Sequence, residues 1–94
     1  MQVKDEKTLL LAKVIGTTLK QVREDHDKNL SINNVAHSFG FDVGNTSRIE
    51  NGLIDVKVVT LWKLAEAYGL NFSELALLIE KNLPKNFRFF DENE

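Results

Sequence analysis

Two short helices punctuated by glycine constrain this chain more than any other feature. From Ser31 to Gly52 the sequence reads SINNVAHSFGFDVGNTSRIENG. Ser31 is a good N-cap, because its hydroxyl can accept from an amide of the first helical turn. Val35, Ala36 and Phe39 then recur at helical spacing and are expected to point inward. Gly40 supplies the positive φ that a tight helix-to-helix turn needs. Asp42 caps a second helix, with Thr46, Ile49 and Val43 expected toward the core, and Gly52 ends it. Two helices of about eight residues joined by a turn of about four form a helix-turn-helix unit.

The face left over on the second helix is Gly44, Asn45, Ser47 and Arg48, all small or hydrogen-bonding. A DNA major groove admits a helix whose approaching face is not bulky and apolar, and it offers donors and acceptors to match. Arg48 can pair bidentately with guanine, and Asn45 with adenine or a phosphate. The amides at the helix N-terminus can hold a phosphate without any side chain.

The flanking segments read as helices too. Leu10, Leu11, Val14, Ile15, Thr18, Leu19 and Val22 form one stripe of a long amphipathic helix, roughly residues 5–26. It frays into EDHDKN, with Asn29 as its C-cap. After the loop LIDVK, Leu61, Leu64, Ala65 and Tyr68 mark a fourth helix over about 58–68, closed by Gly69. Asn71 with Glu74 makes a capping box for a fifth helix over about 72–82, and Pro84 ends the regular pattern. VKVV and FRFF have β-propensity but no partner strands, so the fold class is all-α: a bundle of five helices with a short C-terminal extension.

A chain of 94 residues builds one core and has no room for a second. It holds no apolar run long enough to span a bilayer, and its N-terminus lacks the features of a secretory signal. Cysteine is absent, which excludes disulfides and thiolate metal sites and agrees with a cytoplasmic location. His26 and His37 share no helical face and fall short of a metal-ligand set. Ser38 and His37 have neither a nucleophile elbow nor a strand scaffold, so no enzyme is expected and no cofactor is needed. The formal net charge of −2 counts against a nucleic-acid partner, since such proteins are usually basic.

From about Ile15 to Leu75 the sequence resembles the lambda-repressor-like (Cro/C1-type) DNA-binding domain. The likeness is carried by IGTTLKQVRE, LSINNVAHSFGF, NTSRIENG and TLWKLAEAYGLNFSEL. It implies a helix-turn-helix DNA-binding domain over residues 1–83, followed by an aromatic and acidic extension over 84–94. Arg23 and Glu50 match a family pair that ties helix 1 to the end of helix 3 by a buried salt bridge. Val43, Gly44 and Arg48 fall where members place base-reading side chains, and Asn45 and Ser47 where backbone or base contacts occur. Asn51, Lys57 and Thr60 lie where phosphates are usually touched. The resemblance implies a dimeric repressor on a pseudo-palindromic double-stranded operator.

The sequence also departs from the family. Ile32 stands where a phosphate-gripping glutamine is common, and LIDVK carries Asp55 where a cation is usual. Across residues 31–57, Arg48 and Lys57 face Asp42, Glu50 and Asp55, so the balance is 2 − 3 = −1. Counterion release scales with phosphates neutralised, so nonspecific affinity should be weak and two-fold avidity important. The rival reading keeps the fold as a protein-interaction module, antirepressor or antitoxin-like, with little DNA binding.

Helix 5 carries more apolar surface than one inward stripe uses. Phe72, Leu75, Leu78, Ile79 and Leu83 are therefore expected at a homodimer interface, with Trp62 nearby. Phe87, Phe89 and Phe90 could instead fold back as the cover, or extend that contact; Leu9 to Leu11 offer a second patch. The acidic DENE end reads as a solvated tail.

Overall fold

The structure is a computed structural model, which describes residues 5–90. Five helices follow one another: α1 (Glu6–His26), α2 (Ile32–Phe39), α3 (Val43–Glu50), α4 (Val58–Ala67) and α5 (Phe72–Asn82). No strand occurs among the described residues.

Each boundary has a local cause. Asp5 accepts from the Thr8 amide at 2.7 Å, Ser31 from Asn34 at 3.1 Å, and Asp42 from Asn45 at 2.7 Å. Such caps satisfy amides that the helix cannot pair internally. At the start of α5 the Asn71 amide donates to Glu74 at 2.8 Å. α4 differs, because its N-cap Lys57 provides no side-chain acceptor. Gly40, with φ 77°, turns α2 into α3. α1 ends at His26, close to the expected bound, but its C-cap is Asp27 rather than Asn29.

The core is formed by Leu19 and Val22 of α1, Val35 of α2, Ile49 of α3, Leu61, Leu64 and Ala65 of α4, Tyr68 of the following turn, and Leu75 and Ile79 of α5. Burying a leucine of this kind contributes about 1.5–3 kcal/mol. Leu75 and Ile79 are only 0% and 7% exposed, so they are core residues and cannot serve a dimer contact. They complete the inner stripe that α5 lays against the rest of the bundle. Phe72, Leu78 and Leu83 also pack against the core but remain half-buried.

Two expectations fail in the opposite sense, with residues expected inward found exposed. Phe39 is 56% exposed and Val43 43% exposed. Phe39 is the last residue of α2 and lies past the edge of the core; Phe41, just beyond the turn, packs there instead, with its ring 6.4 Å from that of Phe39.

α3 is pressed closely onto α1. A Cβ at Gly16 would stand 2.5 Å from the carbonyl oxygens of both Ile49 and Glu50. Gly52, with φ 70°, brings its Cα equally near α1, where a Cβ would meet Lys13 Cα at 2.7 Å. Only glycine permits this approach, which sets the height of α3 above the bundle. At the other end, Asn82 Nδ2 donates to Thr18 Oγ1 at 2.9 Å and ties the end of α5 to α1.

Beyond α5, Phe87 and Phe89 meet edge to face at 5.2 Å, and Lys7 Nζ donates to the Phe89 carbonyl at 3.4 Å. The extension therefore folds back beside α1, although Phe89 and Phe90 both remain exposed. The acidic tip, 91–94, lies outside the described residues.

Candidate nucleic-acid interface

The inner and outer faces of α3 divide cleanly. Thr46, Ile49 and Glu50 are buried, whereas Val43, Gly44 and Arg48 are exposed and Asn45 and Ser47 half-buried. Thr46 returns its hydroxyl to the Asp42 carbonyl at 2.9 Å and so adds no free polar group to the core.

Glu50 is the centre of the inner face. Arg23 Nε and Nη2 donate to its two carboxylate oxygens at 3.0 and 2.8 Å. Arg23 Nη1 donates to the Leu30 carbonyl at 2.7 Å, and the Tyr68 hydroxyl donates to Glu50 Oε2 at 2.7 Å. The carboxylate thus joins the end of α3 to α1 and to the turn after α4, and Arg23 extends the network to the approach to α2. A buried charge is tolerated only with such pairing. The carboxylate hydrogen bond raises the pKa of Arg23. Burial, reinforced by the bond to Glu50, pushes the Tyr68 phenol above its usual range.

Sequence reasoning expected Arg23 against Glu50 but missed the Tyr68 hydroxyl and the role of Gly16. Both left a trace. A buried tyrosine needs a partner for its hydroxyl, and a glycine inside an apolar-patterned helix signals close backbone approach.

On the outer face, the Arg48 guanidinium lies back along α3, where it would sit 3.6 Å from a Cβ placed at Gly44. Asp42 Oδ2 is near the same point at 3.5 Å. The Asp42 carboxylate already holds the Asn45 amide, so a phosphate at the start of α3 would have to compete with it. Asn51 is the C-cap of α3, and its side-chain Nδ2 donates to Ser47 Oγ at 3.4 Å.

Asn45, Lys57 and Thr60 meet around a polar cleft of about 280 Å³ between α3 and the start of α4, with Asp55 on its wall. Lys57 and Thr60 stand at the N-terminus of α4, whose amides have no side-chain cap. That end of α4 is better suited to an anion than the capped start of α3. Ile32 is half-buried and offers no polar group.

With Glu50 paired inside, the exposed balance over residues 31–57 becomes Arg48 and Lys57 against Asp42 and Asp55, which is 2 − 2 = 0. The acidity inferred for this face is therefore partly internal.

The profile of the helix-turn-helix family, of Cro/C1 type, matches residues 19–75. The chain belongs to the Cro/C1-type helix-turn-helix family. It is accordingly a DNA-binding helix-turn-helix regulator with an all-α lambda-repressor-like fold. The match begins at Leu19, inside α1, and ends at Leu75, inside α5. No curated protein and no solved structure matches the chain. Among the described residues, no helix is long and apolar enough to cross a membrane and no group of side chains is arranged to hold a metal ion.

Proposed function

We propose that this regulator is a sequence-specific repressor that binds a pseudo-palindromic operator as a homodimer. The observation that carries this reading is the division of α3: Asn45, Ser47 and Arg48 lie outward while Ile49 and Glu50 are locked inside. α3 enters the major groove, Arg48 reads guanine, and Asn45 and Ser47 pair with neighbouring base edges or phosphates. Gly44 lets the backbone approach, and Val43 touches a thymine methyl. Asn51, Lys57 and Thr60 hold the sugar-phosphate backbone and fix the register. Repression is steric, through exclusion of polymerase, and requires no ligand. The work is done in the cytoplasm, with residues 1–83 as the DNA-binding domain and 84–94 as an appendage.

Two cations per subunit on this face neutralise few phosphates, so affinity depends on two linked half-sites. Selection from random duplexes at low salt tests the reading. The wild-type protein should enrich a two-fold motif; recovery of no motif would contradict it.

A second reading draws on the exposed Phe39 and on Asp55 beside Lys57. There the same fold docks on another regulator as an antirepressor or antitoxin-like module. The outward row of Asn45, Ser47 and Arg48 favours DNA.

A further inference from the structure

We propose that the outward face of α4, centred on Trp62, is the surface through which two copies of this chain associate. The inference rests on the dimeric reading above and deepens it by placing the contact on α4 rather than on the inner stripe of α5.

The residues that α4 turns away from the core are Val58, Val59, Trp62, Lys63 and Glu66, all exposed. Val58, Val59 and Trp62 are 63%, 65% and 48% exposed, a high proportion for large apolar side chains on so short a helix. Trp62 is also held in place. Its ring stacks on Phe72 with centroids 4.6 Å apart and planes 3° from parallel. A rigid, half-exposed aromatic pair gives up little conformational freedom on binding, and tryptophan is enriched among the residues that dominate interfaces.

The charges favour a second copy over another partner. Lys63 and Glu66 follow the tryptophan along the exposed side of α4, one helical turn apart, and carry opposite signs. In a two-fold contact the same patch faces itself, so each residue can meet its counterpart in reverse order. Lys63 then approaches Glu66 of the partner subunit, and Glu66 approaches Lys63 of the partner subunit. The pair adds no net charge, so the face does not attract phosphate. Lys57 and Thr60 stand on the same helix, at the end nearest the polar cleft. Association through α4 therefore links the two DNA faces through a rigid element in each subunit, with the antiparallel α4 helices holding their N-termini on either side of the two-fold axis.

Trp62 is the only tryptophan, so its emission reports on this surface alone. Equilibrium sedimentation and fluorescence over a dilution series test the assignment on the full chain. The wild type should be dimeric when concentrated, and its emission should move to longer wavelength as it dissociates. Lys63→Glu and Glu66→Lys should each weaken association, and the double reversal K63E/E66K should restore it. Trp62→Ala should weaken association about tenfold or more. Helix content by circular dichroism separates this from misfolding, and the exposed charge reversals keep the test decisive if Trp62→Ala folds poorly.

A dimer indifferent to all four variants would overturn the assignment while leaving dimeric DNA binding intact. A chain that stays monomeric on its own, or that pairs only with a different protein through Trp62, would overturn it as well. A dimer with the expected variant pattern that selects no DNA would support the α4 surface and count against the operator reading instead.

Discussion

The two faces of α3 are built by opposite rules. Inside, Glu50 is fixed by Arg23 and Tyr68, and the carbonyls of Ile49 and Glu50 are pressed against Gly16. Outside, Arg48 is exposed and its guanidinium rests over Gly44. The inner face is over-determined and the outer one is left adjustable. This teaches how an eight-residue helix, too short to be stable alone, can present side chains at a defined height and angle. Rigidity comes from the junction with α1 and α4, and the outer face buries little.

That contrast can be broken most severely at Glu50. Glu50→Ala leaves Arg23 partly buried without its carboxylate and should cost about 3–5 kcal/mol in chemical denaturation. A loss below about 1 kcal/mol, the level of an exposed pair, would show that the network does not hold α3.

Gly16→Ala comes next. The added methyl meets two backbone carbonyls that cannot rotate away, so α3 must shift outward. The expected loss is about 1–3 kcal/mol, against the gain of about 0.5–1 kcal/mol from replacing glycine with alanine in an open helix. A neutral or stabilising result would mean that α1 and α3 are not in close contact.

Tyr68 sharpens the comparison through pH. Its pKa is raised in the folded protein, first by burial and then by its bond to Glu50. The unfolded phenol ionises near pH 10, while the folded one stays protonated there. Its contribution is therefore complete below about pH 10 and drains away as pH rises through the folded value. Tyr68 is the only tyrosine, so tyrosinate absorbance should develop together with alkaline unfolding. Tyr68→Phe should lose about 1 kcal/mol at neutral pH and the alkaline decline with it. Absorbance rising in a still-folded chain would contradict the buried placement.

Much of this was legible in the chain itself, and the reason is locality. Ser31, Gly40 and Asp42 each act within a few residues, so caps and turns are placed by spacing alone. The errors concern how far the core extends. Phe39 has the angular position of an inward residue, but it sits at the helix end where the core has already stopped. Leu75 and Ile79 were assigned to a partner because a linear pattern cannot reveal how much of α5 the other helices cover. Val43 lies outward on α3, exposed beside Gly44 in the first turn. The outward row of α3 was visible as polarity, yet its target is a second molecule, and no spacing within the chain encodes the base sequence.

Arg48→Ala, measured in parallel for stability and for DNA binding, tests the division of α3 most directly. The account predicts a midpoint of unfolding within about 0.5 kcal/mol of wild type, because an exposed side chain is removed. It also predicts that affinity for the selected operator falls about ten- to a hundredfold, with relaxed preference at one base pair in each half-site. A variant that unfolds more readily while keeping wild-type affinity and preference would contradict it.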